Sequence, residues 1–461
     1  MDSLITVYIT NYNYGKYIKK AIDSVLNQTF QDFDILIIDD GSSDNSREII
    51  EQYRNKENIR IIYQQNLGLN KTNNVAIKEA KGKYIMRLDA DDFLNPAALG
   101  IMSAMLEAEP ELGLVYPDYF YADEDGNIIG EEYRQNVQRE VTMFDLPAHG
   151  ACTMIRLDYL KKLGGYNESF SCQDGYDLWV KFVTHFKVAN VNKPLFYYRK
   201  HGNNLTLNEN RILSTRRKIK EAFVNDFNFV RPKAIAVIPA RNYLINNESW
   251  LLTRKNGNTI LENIIVKSID AKNINHVVLT TSDKEILNFA KSKFEHHSGV
   301  IIIERPPEYE RFGVNLSATY KLIFDRLKEL DYDDYEAIVS LAIEFPFITS
   351  EIIDDVINTL TIFKADSVIA VKPDNSTYYQ HNGHGMQPIL DQDKFTKYER
   401  NAIYKRYSAV TATTKNNYLK NNNFVSGKIS HIVLDQKSAF EIKTNFHWSL
   451  YQLLINNHSR F

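Results

Sequence analysis

The chain has 461 residues, 44% hydrophobic and 25% charged, with a formal net charge of -3. That length exceeds what one hydrophobic core usually serves, so two or three domains are expected, and the near-neutral charge gives no electrostatic reason to expect nucleic acid. No apolar run is long enough to span a bilayer, the N-terminus lacks a secretory pattern, and Cys152 and Cys172, the only cysteines, suit a reducing cytoplasm better than a disulfide framework.

From the N-terminus, short apolar runs alternate with amphipathic stretches. ITVYIT, FDILIIDD, IRIIYQ and KYIMRLD are expected as strands, separated by helices over KYIKKAIDSVLNQ, SREIIEQYRN and NKTNNVAIKEA. Strands alternating with helical patterns imply βαβ units and a mostly parallel sheet. Three strands end in polar or acidic residues, at Thr10 to Asn13, Asp39 to Asp40 and Asp89 to Asp92. In a parallel sheet those ends share one rim, where open α/β sheets bind ligands. Asn45 and Glu48 are spaced to cap the second helix, and Asn95 followed by Pro96 looks like an N-cap and first helical position.

Five carboxylates on one rim repel one another unless a cation neutralises them, and hard ions such as Mg²⁺ or Mn²⁺ prefer oxygen ligands. Such a site holds the ion by one or two carboxylates and leaves the rest of the shell to water and phosphate, so a metal complex of a diphosphate is the expected ligand. Aspartates at strand ends also serve simply as turn formers and caps.

The segment 202–230 is polar and includes ENRILSTRRKIKEAFVNDF, helical in spacing, with Arg211, Arg216, Arg217, Lys218 and Lys220. It reads as a solvated connecting helix or, alternatively, as a basic face resting on anionic lipid. The strand pattern then restarts with AIAVIPA, HVVLTTSD, VIIIE, EAIVSLA and DSVIAV, a second α/β unit that is no close repeat of the first.

The opening VYITNYNYGKYIKKAIDSVLNQTFQDFDILIIDDGSSDNS, then NLGLNKTNNVAIKEAKGKYIMRLDADD, LGGYNESFSCQDGYDLWVKF and YRKHGNN together resemble glycosyltransferase family 2, the inverting nucleotide-sugar transferases of GT-A fold. The resemblance covers about residues 1 to 205. It implies nucleotide binding at Thr10, Tyr12, Asp39, Asp40 and Asp89, a divalent Mn²⁺ or Mg²⁺ at Asp91 and His201, and Asp174 as the general base that takes the acceptor proton. Asp92 is expected to fix the turn or the metal's outer shell. The chain departs from the family in having Gln173 where glutamate commonly precedes the base, and Thr72, Asn73 and Asn74 where Ala-Arg-Asn is common.

AIAVIPAR with TRKNGNTILENIIVKSI, VVLTTSDKEILNFAK, IIIERPPEY and ADSVIAVKP resembles the cytidylyltransferases of CMP-sialic acid synthetase type, over about residues 233 to 452. The resemblance points to Arg241, Arg254, Lys255 and Asp283 as a nucleotide site. The phosphate loop after Arg241, NYLINNESW, has no glycine, AIEFPFIT keeps Pro346 without the polar residues expected around it, and Glu441, Ile442 and Lys443 stand where a metal-binding Asp-x-Asp belongs. The second half is therefore read as a degenerate domain, with an active cytidylyltransferase or another sugar- or phosphate-directed activity as alternatives.

The expected architecture is α/β: two Rossmann-like nucleotide-sugar-binding domains, a GT-A domain at 1–205 and a nucleotidyltransferase-like domain at 232–461, joined by a helical linker at 206–231. The expected function is transfer of a sugar from a nucleotide-diphosphate donor, a UDP-sugar by default, to a hydroxyl of a surface glycan precursor, with a glycan or lipid-linked acceptor. A bifunctional transferase and cytidylyltransferase, or a non-catalytic scaffold of glycan assembly, are the alternatives. The expected location is cytoplasmic, with peripheral contact at the inner face of the membrane and homodimerisation left open.

Overall fold

ITVYITN folds as β1 (Ile5–Asn11) with every residue buried, as does FDILIID in β2 (Phe33–Asp39). Strands buried on both faces are the mark of a parallel sheet covered by helices. Here β1 pairs in parallel with β2 and with β4 (Tyr84–Asp89), while β3 (Ile59–Tyr63) adds outside β2. Alternate residues serve opposite layers. Val7, Ile9, Ile35 and Ile37 pack with Ile18, Ile22 and Val25 of α1 (Gly15–Leu26). Tyr8, Leu36 and Ile38 pack with Ala76 and Ile77 of α3 (Leu69–Glu79). A register slip of one residue would exchange the two sets, at about 1.5–3 kcal/mol for each large apolar side chain misplaced, so the strand ends are fixed relative to one another.

Between these lies α2 (Ser46–Glu51), entered differently from the sequence expectation: Asp44, not Asn45, accepts the Ser46 N–H at 3.0 Å, and its other oxygen accepts from Gly15 N at 2.8 Å. After β4 come β5 (Phe93–Leu94) and α4 (Ala98–Ala108). Asn95 does not cap directly; it forms a turn, accepting from Ala97 N and Ala98 N at 3.0 Å each, and the helix starts beyond Pro96. The unit is completed by β6 (Leu112–Ala122), β7 (Ile128–Glu132), β8 (Met154–Arg156), α5 (Leu157–Lys162), α6 (Asp174–His185) and β9 (Lys187–Arg199). The sheet order is β3-β2-β1-β4-β8-β6-β9-β5, with β7 on β6. Because β8 runs antiparallel to β4 and β6, and β5 and β7 run antiparallel to β9 and β6, the sheet is mixed beyond β4, although β6 and β9 pair in parallel with each other.

The helix α7 (Glu209–Asp226) precedes β10 (Ala234–Pro239), the short pair β11 (Leu244–Ile245) and β12 (Glu248–Ser249), and α8 (Ile260–Ile269). Next come β13 (His276–Thr281), α9 (Lys284–Phe294), β14 (Val300–Glu304), α10 (Leu316–Glu329), β15 (Ala337–Leu341), α11 (Ser350–Phe363) and β16 (Ser367–Asp374). A hairpin of β17 (Tyr379–His381) and β18 (Met386–Pro388) leads to β19 (Ile403–Thr414), α12 (Lys415–Asn421), β20 (Ile429–Val433) and α13 (Asn445–Asn456). The second sheet has the order β14-β13-β10-β15-β19-β16-β20. Chain order reverses beside β10, between β13 and β15, the kind of switch point at which open α/β sheets form a crevice.

This computed structural model describes residues 3–134, 141–144, 147–201, 208–242, 244–245, 248–254, 257–310, 316–374, 376–389 and 403–456. The chain divides into two units, Met1–Ile219 with Asn375–Asn401, and Lys220–Asp374 with Ala402–Phe461. Among the described residues no helix is long and apolar enough to cross a membrane.

Candidate active site

The parallel register sets Asn11 beside Asp39 and Thr10 beside Asp89, so the polar ends of β1, β2 and β4 meet at one edge of the sheet. Asp39 accepts from Asn11 Nδ2 at 2.7 Å and from the Ser42 hydroxyl at 2.5 Å. Asp40 accepts from the backbone N–H of Leu67 and Gly68, at 2.9 Å each, and from Gln64 Nε2 at 2.7 Å. Both acids thus hold the loops that border the rim, as strand-end aspartates commonly do. Thr10 is buried and its carbonyl accepts from Ala90 N at 3.3 Å, tying β1 to the acidic turn, while Tyr12 stands exposed beside it.

The turn itself is crowded. Carboxylate oxygens of Asp89, Asp91 and Asp92 lie within 4.8 Å of one another. Burial, reinforced by Asp91, pushes the Asp89 carboxyl up to about 6 against the pull of Arg87. Burial, then Asp91 and Asp89, push Asp92 well above the usual carboxylate range, although the Arg199 N–H donates to it at 2.9 Å. Asp92 Oδ2 is buried with no hydrogen-bond partner among the described residues. His201 Nε2 meets Asp91 Oδ2 at 2.8 Å, its ring stacked on Tyr17 and edge-on to Tyr14. Three crowded carboxylates with an unmet buried oxygen, beside one imidazole, form a donor set that fits Mg²⁺ or Mn²⁺.

Asp174 opens α6 on the same side of the sheet, and its carboxylate is paired with Arg87 Nη1. Arg87 also lies 2.9 Å from Asp89 through Nε and donates to Asp89 through Nη2 at 3.2 Å. This buried guanidinium therefore bridges the acidic turn and the candidate base. Burial opposes its charge, but Asp174 and Asp89 together outweigh that cost and hold its pKa well above the ordinary value. Beneath it the hydroxyls of Tyr8 and Tyr166 meet at 3.2 Å, and burial pushes Tyr166 up to about 12. Gly150 lets the preceding loop lie close, since a Cβ there would stand 2.8 Å from Arg87 Nη2 and 3.3 Å from Asp174 Oδ2.

Arg87 is the residue that sequence reasoning passed over. Its signal was present: a lone arginine in an apolar strand, two residues before the first acid and so on the same face. Gln173 was noticed as a departure, but its conformation was not. It has left-handed backbone (φ 63°), and its side chain accepts from Arg216 Nε at 2.7 Å.

His149 lies against Tyr119, Phe196 and Tyr198, and burial with the nearby charges of Arg134, Arg87 and Lys200 lowers its pKa to about 3. The unfolded chain binds a proton on this residue near pH 6.5, the folded chain only near 3, so its contribution to stability is full above about 6.5 and is lost as pH falls through that window. The expected slope is up to about 1.4 kcal/mol per pH unit. Denaturant unfolding of wild type and His149→Phe between pH 7 and 5 checks it; equal slopes in the two proteins would refute the assignment.

The five cations of the 202–230 segment do not form one open face. Arg211 Nη2 donates to the Ser171 carbonyl, Arg216 to Gln173, and buried Lys220 pairs with Asp355 at 2.5 Å. Lys218 is exposed.

In the second unit a cavity of about 300 Å³ opens at the switch point, lined among others by Arg241, Arg305, Arg406, Ser340, Glu344 and Thr411. Of the four residues singled out in the sequence, the cavity collects Arg241. Asp283 instead caps α9, accepting from Ile286 N at 2.9 Å, Arg254 is exposed away from the lining, and Lys255 lies outside the described residues. Arg305, buried and donating to the Ala240 carbonyl at 2.8 Å, and Arg406 were not among the residues the sequence reading singled out, although Arg305 lies in IIIERPPEY, one of the segments that carry the resemblance. Glu441 is paired with Lys443 at 2.8 Å.

Residues 6–164 match the family described as glycosyl transferase family 2. The chondroitin synthase of Escherichia coli is 32% identical over 207 residues, 44% of this chain and 30% of that protein. The hyaluronan synthase of Pasteurella multocida is 32% identical over 207 residues, 44% of this chain and 21% of that protein. The chain thus spans less than a third of these two relatives. An uncharacterized glycosyltransferase of Methanocaldococcus jannaschii is 32% identical over 206 residues, 42% of this chain and 70% of that protein. Among solved structures, S. aureus TarS 1–349 in complex with UDP aligns with 48% of this chain and 65% of that chain, at 22% identity and a TM-score of 0.41. Through its N-terminal half, then, the chain belongs to glycosyl transferase family 2.

Proposed function

We propose that the protein is an inverting glycosyltransferase that moves a sugar from a nucleoside-diphosphate donor to a hydroxyl of a glycan acceptor, with Mg²⁺ or Mn²⁺ bound at the acidic turn. The observation that carries the reading is the bridge from Asp174 through Arg87 to Asp89, which sets a candidate proton acceptor and a candidate metal site on one rim. The names of the relatives, chondroitin and hyaluronan synthases, support a glycan acceptor.

In this mechanism Asp174 takes the proton of the acceptor hydroxyl as its oxygen forms the new bond to the anomeric carbon. The bond to the diphosphate breaks on the opposite face, and the electron pair leaves with the diphosphate. Arg87 aims the Asp174 carboxylate. Asp89, Asp91 and Asp92, with His201, would hold the divalent ion, whose charge offsets that developing on the leaving group. Asp39 and Asp40 fix the loops against which the nucleotide lies, and Thr10 and exposed Tyr12 contact it.

A second reading concerns the other unit. Three arginines around the switch-point cavity suit a phosphate or carboxylate ligand, which keeps open a nucleotide site there and a bifunctional enzyme that releases pyrophosphate from CTP. The glycine-free loop after Arg241 and the Glu441–Lys443 pair speak against metal-dependent nucleotidyl transfer and favour a domain that binds without catalysing.

Calorimetric titration with UDP, CDP, GDP and CTP, with and without Mn²⁺, tests both. Metal-dependent binding of one diphosphate, lost in Asp91→Ala and kept in Arg241→Ala, is the expected result. Absence of any diphosphate binding would sink the transferase reading, and CTP binding that survives Asp91→Ala would bring the second unit's site forward.

A further inference from the structure

The segment that delivers Asp174 is held residue by residue from α7. Arg211 Nη2 donates to the Ser171 carbonyl at 2.8 Å. The buried Cys172 thiol donates to Thr215 Oγ1 at 3.2 Å. Arg216 Nε donates to Gln173 Oε1 at 2.7 Å, and the same guanidinium lies 5.1 Å from the Tyr176 ring, one turn into α6. Residues 211 and 215 lie one above the other on one face of α7 and 216 flanks them, so three consecutive loop residues, and the helix that follows them, are fastened to a single rigid element.

What this fastening does is visible in the backbone. Gln173 has φ 63°, left-handed, which a residue with a side chain adopts only where its surroundings hold it. That one reversed residue turns the chain into α6, so that Asp174 stands at its first position and reaches Arg87. Released from α7, Gln173 would relax toward ordinary backbone, and the Asp174 carboxylate would swing with it. The helix lies outside residues 6–164, the part of the chain that the family description covers.

We propose that the first half of α7 is a working part of the transferase, and that Arg216 is a positioning residue for the carboxylate that accepts the acceptor's proton. The proposal rests on the reading of Asp174 as the base. It gives the Gln173 departure a physical sense: the neutral amide accepts from Arg216 without placing a further negative charge beside Asp174. Nothing about donor binding runs through this contact, because the nucleotide side of the rim is built from β1, β2, β4 and the loops that Asp39 and Asp40 hold.

The test uses the full-length protein and two readouts. In Arg216→Ala, kcat is expected to fall about tenfold to a hundredfold, the scale of a misplaced reacting group, while the affinity for the nucleoside diphosphate stays within about twofold. Hydrogen–deuterium exchange of the amides in 170–177 is expected to accelerate in the same variant. Arg216→Lys, which keeps a cationic donor facing the neutral Gln173 amide, should recover part of kcat and of the protection against exchange. Lys218→Ala, on the exposed side of the same helix, should change neither readout. Unaltered exchange in Arg216→Ala overturns the proposal whatever the activity, and accelerated exchange with full kcat overturns it too. If the wild-type protein transfers sugar from no donor, the transferase reading falls while the exchange measurement still decides whether α7 holds the loop.

Discussion

Asp174→Asn is expected to reduce sugar transfer by about a hundredfold to ten-thousandfold, the usual contribution of a positioned general base, while nucleoside diphosphate binding persists. The substitution keeps the shape of the side chain and removes its ability to take a proton. It also leaves Arg87 with Asp89 as its remaining carboxylate partner, so a moderate loss of stability should accompany the loss of rate. The informative quantity is the ratio of the two effects. A protein that still melts cooperatively, binds its diphosphate and fails to turn over places Asp174 in the chemistry, whereas normal turnover removes it from the mechanism.

The second large effect is expected on stability. Arg87→Met removes the buried cation between Asp174 and Asp89 and leaves two carboxylates facing each other in a dry site. Removing one partner of a buried pair costs about 3–5 kcal/mol, because the remaining charge is desolvated and uncompensated. For a domain whose net stability is about 5–15 kcal/mol, that is a large share. The sign with pH follows from the acids. The penalty is the penalty of negative charge, so it is greatest at neutral pH and shrinks as the medium is acidified and Asp89, already pushed up to about 6, takes a proton. Denaturant unfolding of Arg87→Met against wild type at pH 7 and pH 5 measures it. A loss under about 1 kcal/mol at pH 7 would show that the bridge is not what holds this rim.

Several features of the rim could be read directly from the residues. The period of apolar and amphipathic runs up to Leu88 located β1 to β4 and the helices between them, because strands buried on both faces are nearly unbroken apolar sequence. Their acidic ends followed from the same alternation. The strands of the mixed part of the sheet, β6, β8 and β9, were less legible: YPDYFYA and KPLFYYR carry prolines and tyrosines whose burial depends on partners far along the chain. In the second unit the run KRYSAVTATT folds as part of β19, although its polar residues gave no strand signal; Thr411 and Thr413 are buried by pairing with β15 and β16.

Arg211 and Arg216 show why a basic run in sequence is an ambiguous sign. Spacing alone gives a cationic helix and leaves its target open to water, lipid or protein. The fold decides for protein, because α7 lies where the Ser171 carbonyl and the Gln173 amide need donors. Arg241 shows the same limit from the other side: the resemblance to cytidylyltransferases marked it as a nucleotide-site residue, and only the sheet order brings Arg305 and Arg406 around the same cavity.

The amino-acid sequence by itself determined the parallel strands, the acidic turn at Asp89 to Asp92 and the family of the N-terminal half, since these rest on local periodicity and on short ordered motifs. The tertiary structure alone decided that Arg87 joins Asp89 to Asp174, that Arg216 of α7 donates to Gln173 where the backbone is left-handed, and that three arginines share one crevice. Each of those facts depends on contacts between residues distant in the chain, and such contacts are set by how sheets and helices pack rather than by any local pattern.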